Sequence, residues 1–435
     1  MSVRRSGAVV TAAGTGVNLA LGVLYAWSIF KAEIGRSIAV GGEGAFQWDP
    51  ASLNDPYAIC CLVFAFSMIL AGRCQDLLGP RVTAILGGIL VGTGFVWISQ
   101  STAYAVWALG FGVLVGAGIA FGYAAATPPA MKWYPPHQTG KVAGIVVSGF
   151  GLASVYIAPL ARYLMNGWGL GGTMLVLGVG FFAVVTLLSL LLVNPPAGYH
   201  PGEVRDSRRK GGINQRIREL FVEPNLAPSQ LLRQPSFWLL WVLYFLGAGA
   251  GLMVIGSVAG MATRSLGSAA FVAVAVLAVG NAGGRLVAGF AADRIGPTQT
   301  LTGVFALQAL LMFVAIPVTG AENASALLLV LVSSLIGFNY GANLALFPAL
   351  TKDLGGIKNF GVNYGLVFTA WGVGGFMMSR ASQALVISTG SYRASFLAAG
   401  GLLAAGALLS LRVRDRKSEQ LQSIRAFLGE QNKAA

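Results

Sequence analysis

The sequence predicts an all-α membrane protein of twelve transmembrane helices in two six-helix halves. Three observations predict it: an apolar composition with little charge, twelve apolar runs long enough to cross a bilayer, and a set of motifs that recurs once at a nearly constant offset. Of 435 residues, 55% are hydrophobic and 10% charged, and the mean hydropathy is +0.71. A soluble globular domain carries about 25% charged residues and a disordered chain needs low hydrophobicity, so a water-soluble enzyme and an unstructured polymer are both excluded. At roughly 20 residues per spanning helix plus short connections, the length holds about a dozen spans and no sizeable domain outside the bilayer.

Apolar runs bounded by charge or proline place the spans at 8–30, 57–72, 82–100, 103–127, 142–163, 172–193, 236–261, 269–291, 298–318, 324–347, 362–386 and 394–412. The first follows Arg4 and Arg5 in the manner of a signal peptide, but it is too long for an h-region and lacks a small-residue cleavage site. The expected organisation is a first half at 1–194, a polar linker at 195–235, a second half at 236–413 and a tail at 414–435. The linker's basic run, Arg205, Arg208, Arg209 and Lys210, reads as a solvated segment beside the membrane.

Charge sets the orientation. Lys and Arg total 29 against 15 Asp and Glu, for a net charge of +14. With both termini on one side, that side holds 22 of the basic residues and the other holds six, which predicts cytoplasmic termini in a cell membrane, with a bacterial inner membrane expected. The excess is thus a topology signal and no nucleic-acid partner is expected. Three cysteines (Cys60, Cys61, Cys74) and two loop histidines (His137, His200) assemble no metal or disulfide framework, and no cofactor is expected.

The two halves repeat. Gly72-Arg-Cys-Gln-Asp76-Leu-Leu-Gly79-Pro80 after span two and Gly289-Phe-Ala-Ala-Asp293-Arg-Ile-Gly296-Pro297 after span eight share G-x-x-x-D-x-x-G-P at an offset of 217. Gly118, Phe121, Gly122, Pro129 and Ala130 match Gly337, Tyr340, Gly341, Pro348 and Ala349 at 219, and Gly140, Gly144 and Gly151 match Gly361, Gly365 and Gly372 at 221. Ordered matches at nearly one offset imply two similar halves related by an axis along the membrane normal.

This pattern resembles the major facilitator superfamily of transporters over essentially the whole chain, although both copies of the loop lack that superfamily's usual run of basic residues. Gly22-Val-Leu-Tyr25-Ala-Trp27-Ser-Ile-Phe30, Lys132-Trp133-Tyr134-Pro135 and Asn363-Tyr364-Gly365 resemble the oxalate/formate antiporter family. The related proton-linked monocarboxylate porters carry an arginine in span eight, where Arg285 stands. The resemblance implies alternating access, and it implies gating roles for Asp76 and Asp293 near helix ends of the opposite half, where a carboxylate stabilises one of two states.

All 15 acids fall outside the membrane interior, so Arg285 is the one ionisable group at depth apart from tyrosines. It lies eight residues before Asp293, roughly 12 Å at 1.5 Å per residue, near the middle of a core about 30 Å thick. An unpaired guanidinium there is costly, and a carboxylate substrate held bidentately would supply the missing anion. The bland alternative is an arginine satisfied by carbonyls and water.

Asn281 shares a face with Arg285 at i and i+4. In the monocarboxylate porters that place resembles an aspartate, so the proton route is in doubt; their span-one lysine falls near Ile29, with Lys31 and Glu33 beyond it at the outer end of the span. Tyr25, Tyr123, Asn339, Tyr340, Asn343 and Tyr364 are polar groups within spans, each needing a partner and each as fit for a helix contact as for a ligand. In span eleven the antiporter pattern resembles Tyr-Thr-Ala-Lys, whereas this chain reads Phe368-Thr-Ala-Trp371, which removes a second cation and disfavours dicarboxylates. Asn323-Ala-Ser325 fits a glycosylation pattern in a very short loop and reads as incidental.

The expectation is a monomeric carrier of small monocarboxylates of the lactate, pyruvate or formate type, coupled to a proton. Arg285, Asn281, Tyr123, Tyr364, Trp371, Tyr25, Tyr340 and Asn343 are the expected binding residues. Anion exchange and an anion channel remain as alternatives. With no nucleophile, metal cluster or acid pair at depth, an enzyme is not expected.

Overall fold

The computed structural model describes residues 3–42, 44–135, 138–196, 198–199, 225–266, 270–320 and 326–413. The linker's basic run, both histidines, Asn323-Ala-Ser325 and the tail from 414 lie outside the described residues. Within them every regular element is helical, as hydrocarbon demands of a chain whose backbone groups must be satisfied internally. Among the described residues ten helices are long and apolar enough to cross a bilayer. One of these, Thr139–Ser189, is 51 residues long and breaks at Gly169 into spans 5 and 6; Phe360–Thr389 brings the described rods to twelve. Large apolar side chains such as Leu70, Leu187 and Leu327 stand on the outside, which suits lipid and not water.

Span 1 runs past its expected end at residue 30. Val3–Leu21 passes through a 3-10 segment, Gly22–Ala26, into Trp27–Val40, and the Arg36 guanidinium pairs with Glu33 at 2.6 Å on this extension. Hydropathy stops at the first charge, whereas a helix leaving the bilayer has no reason to. Spans 2 (Asp55–Leu78), 3 (Pro80–Ser99) and 4 (Tyr104–Lys132, with a π stretch at Ala108–Val115) complete the first group before Thr139. Spans 7 to 12 are Pro235–Leu266, Ala270–Ile295, Pro297–Gly320, Ala326–Gly355, Phe360–Thr389 and Arg393–Ser410. A short helix, Pro228–Leu232, occupies part of the expected linker.

The repeated G-x-x-x-D-x-x-G-P motif is helix punctuation. Gly79 (φ 83°) and Gly296 (φ 96°) take the positive φ that glycine tolerates where spans 2 and 8 end, and Pro80 and Pro297 open spans 3 and 9, where a missing N–H costs nothing. Asp76 and Asp293 were expected in loops and instead occupy the last turns of spans 2 and 8. Lys352, which falls between the expected spans 324–347 and 362–386, lies on span 10 and is buried, its Nζ 3.5 Å from the Thr139 hydroxyl. Span 2 packs along span 11 and span 8 along span 5, so two crossed pairs join the halves. Backbones touch at both: a β-carbon on Gly72 would overlap the Gly361 carbonyl, and one on Gly289 would come 2.5 Å from the Gly140 carbonyl oxygen.

Candidate functional site

The crossing of spans 5 and 8 sets the depth of Arg285. Its own carbonyl lies 2.5 Å from where a Gly144 β-carbon would be, so the guanidinium meets span 5 directly. The side chain is fully buried, and its three described partners are neutral. Nε donates to Asn281 Oδ1 at 2.9 Å on the same helix face, Nη1 to the Val147 carbonyl at 2.6 Å, and Nη2 to the Tyr25 hydroxyl at 3.3 Å. Two of the three come from the first half, so the arginine ties the halves together.

Tyr25 is presented by the 3-10 segment of span 1, whose tighter winding sets it off the α-helical face. Its hydroxyl meets that of Tyr340 at 3.2 Å, and the Trp371 indole N–H donates to Tyr340 at 2.9 Å. A polar chain thus runs Arg285, Tyr25, Tyr340, Trp371 across spans 8, 1, 10 and 11. It borders a cavity of about 10 Å³ lined by Tyr25, Phe64, Tyr123, Phe150, Arg285, Leu344, Phe368 and Trp371. That is room for about one water molecule.

Of the expected binding residues, Arg285, Tyr25, Tyr123 and Trp371 line the cavity, and Asn281 and Tyr340 adjoin it through hydrogen bonds. Tyr364 does not line it; its ring packs 5.7 Å from Phe368. Asn343 does not line it either. Its amide donates to Gln308 Oε1 at 3.3 Å and to the Asn339 carbonyl at 3.1 Å, inside the second half, because Gln308 on span 9 offers a partner that no sequence pattern revealed. The aromatic walls Phe64, Phe150 and Phe368 escaped sequence reading, since phenylalanine in an apolar run looks the same whether it faces lipid, a neighbour or a ligand.

At the end of the bundle bearing the termini, Asp76 accepts the backbone N–H of Gly361 at 3.2 Å and of Val362 at 3.0 Å. Asp293 accepts those of Gly140 at 2.9 Å and Lys141 at 2.7 Å. Each carboxylate therefore sits on the N-terminus of the helix from the opposite half, span 11 or span 5, where free donors and the helix dipole favour an anion. The two contacts tie the halves together at this end.

The family profile described as Major Facilitator Superfamily matches residues 7–379. The oxalate:formate antiporter of Oxalobacter formigenes is 26% identical over 353 residues, covering 80% of this chain and 77% of its own length. Monocarboxylate transporter 11 of Homo sapiens is 28% identical over 336 residues, covering 76% and 68%. Among solved structures, that of the transporter FucP in the outward conformation superposes with a TM-score of 0.68 at 14% identity, covering 94% of this chain and 99% of that one.

Proposed function

The chain belongs to the Major Facilitator Superfamily, a family of multi-pass membrane transporters and not of enzymes, and within it we propose that the protein carries small monocarboxylates of the lactate, pyruvate or formate type by alternating access, in symport with a proton. The single observation that carries this reading is Arg285, fully buried with neutral partners only among the described residues. A guanidinium in a low-dielectric site without a counter-ion favours an incoming carboxylate strongly, and one guanidinium balances one carboxylate. In this reading Arg285 holds the carboxylate, Asn281 fixes the guanidinium plane, Tyr25 and Tyr340 bind the remaining polar atoms, and Tyr123 and Trp371 close the walls. Asp76 and Asp293 bias the two conformations, and the end bearing both termini faces the cytoplasm of a cell membrane, the protein working as a monomer.

Anion exchange is the second reading. The asparagine at 281 favours it, because a carrier with no acid beside its arginine has no built-in proton acceptor, and the relative from Oxalobacter formigenes is named as an antiporter. Uptake of labelled lactate, pyruvate and formate into proteoliposomes separates the two. Symport gives accumulation driven by an acid exterior with empty vesicles; exchange gives uptake only when a carboxylate is trapped inside.

A further inference from the structure

Two lysines at the terminal end are drawn away from water. Lys132 closes span 4 and is half-buried, and Lys352 sits in the last turn of span 10 and is buried. They occupy equivalent places, each about one turn after a Pro-Ala pair, Pro129-Ala130 or Pro348-Ala349. The helix dipole favours a cation in a last turn and the topology signal favours one on this side, but neither asks the ammonium to leave water, which is costly. What the two share is a latch. Lys132 stands close enough to Asp76 for their charges to attract. Lys352 Nζ lies 3.5 Å from the hydroxyl of Thr139, the residue before Gly140, whose N–H donates to Asp293. Arg73, on the turn before Asp76, also acts on that carboxylate, but it is exposed and water screens it.

Each lysine belongs to the same half as its aspartate, Lys132 with Asp76 in the first and Lys352 with Asp293 in the second. The helix N-terminus that binds each carboxylate belongs to the other half. One carboxylate therefore has two positive partners, and only the lysine travels with it when the halves separate. Lys352 also lies at the positive end of the span 5 dipole, which repels it while the two halves are in contact. We propose that Lys132 and Lys352 are release residues: each draws its aspartate off the opposing helix and stays with it once the terminal end opens, so the lysines favour opening where the aspartates favour closure. The inference rests on the alternating-access reading above and on no particular substrate.

The test is thiol labelling of the full-length protein carrying Val362→Cys, at a buried side chain near the start of span 11, with Cys60, Cys61 and Cys74 replaced by alanine. Asp76→Asn should raise the labelling rate, as loss of a latch requires. Lys132→Gln and Lys352→Gln should each lower it about threefold, the worth of a partly exposed ion pair, and Lys132→Arg, which keeps the charge, should stay within about twofold of the parent. Asp76→Asn/Lys132→Gln should label like Asp76→Asn alone, because the lysine then has no carboxylate to draw. Lysine variants that label faster than the parent or at its rate, or whose effect adds to that of Asp76→Asn, show that the lysines only brace the closed end and overturn the proposal. If Asp76→Asn itself leaves labelling unchanged, the latch reading falls and the release role falls with it.

Discussion

Spans 2 and 8 stand in equivalent places in the two halves and differ where it matters. Both end in the same punctuation, both cap the first turn of a helix across the interface with an aspartate, and both press a backbone carbonyl against a glycine of that helix. The Met68 carbonyl oxygen lies 2.5 Å from a β-carbon placed on Gly365, and the Arg285 carbonyl lies 2.5 Å from one placed on Gly144. At the motif offset of 217, however, Arg285 corresponds to Met68 and Asn281 to Phe64. In the proposed carrier the duplicated parts serve the movement and the unduplicated parts the binding. A symmetric hinge needs the same latch twice, whereas a site for one carboxylate needs its cation once.

The sharpest way to break the comparison is to exchange chemistry at the unduplicated positions. Arg285→Ala should reduce monocarboxylate transport by about 100-fold or more while the protein still inserts, consistent with the ~3 kcal/mol or more lost when one partner of a buried charge pair is removed. Arg285→Lys should be strongly impaired because it keeps charge but not the planar fork. Met68→Leu at the equivalent place preserves volume and should leave transport within a few-fold. A Met68→Leu variant as inactive as Arg285→Ala would erase the asymmetry.

Next in size is selectivity. With a single guanidinium in the cavity, a second carboxylate goes uncompensated, so oxalate should compete poorly with lactate or pyruvate for the wild type. Trp371→Lys should gain oxalate binding by roughly tenfold or more, about the worth of one charge-assisted hydrogen bond, and only while Arg285 is present. Competition by oxalate equal to that by lactate in the wild type contradicts the one-cation site.

Smaller effects test the duplicated parts, which should respond alike. A β-carbon on Gly140 would come 2.7 Å from Asp293 Oδ1, and one on Gly361 would come 2.8 Å from Asp76 Oδ1. Gly140→Ala and Gly361→Ala should therefore each slow transport about tenfold, by overpacking worth ~1–3 kcal/mol, with cysteines at the terminal end more accessible. Asp76→Asn and Asp293→Asn should shift accessibility about fivefold, near the ~1 kcal/mol of a carboxylate at a helix N-terminus, without changing which anions compete. A change in the substrate list with unaltered accessibility would count against a latch.

The architecture was legible because its signals are long or repeated: apolar runs of 20 residues, a nine-residue motif present twice, and an arginine conspicuous in a chain with 10% charge. The arginine's neighbours on spans 1, 8 and 10 were readable as isolated polar side chains within apolar runs. What stayed hidden is direction. Lipid is as apolar as the packed interior, so hydropathy does not say which way Phe64, Phe150 or Phe368 faces, nor that the Asn343 amide donates to Gln308. The reach of span 1 to Val40 and the burial of Lys352 were hidden for a related reason: a charge ends an apolar run in the sequence without ending the helix.

Binding at Arg285 is tested most directly by thermal stabilisation with lactate and pyruvate, measured on purified wild type and Arg285→Ala side by side. The expected result is a rise in melting temperature with ligand for the wild type, saturating with concentration, and no rise for Arg285→Ala up to concentrations about 100-fold higher. Equal stabilisation of the two proteins would place the carboxylate somewhere other than Arg285 and contradict the account.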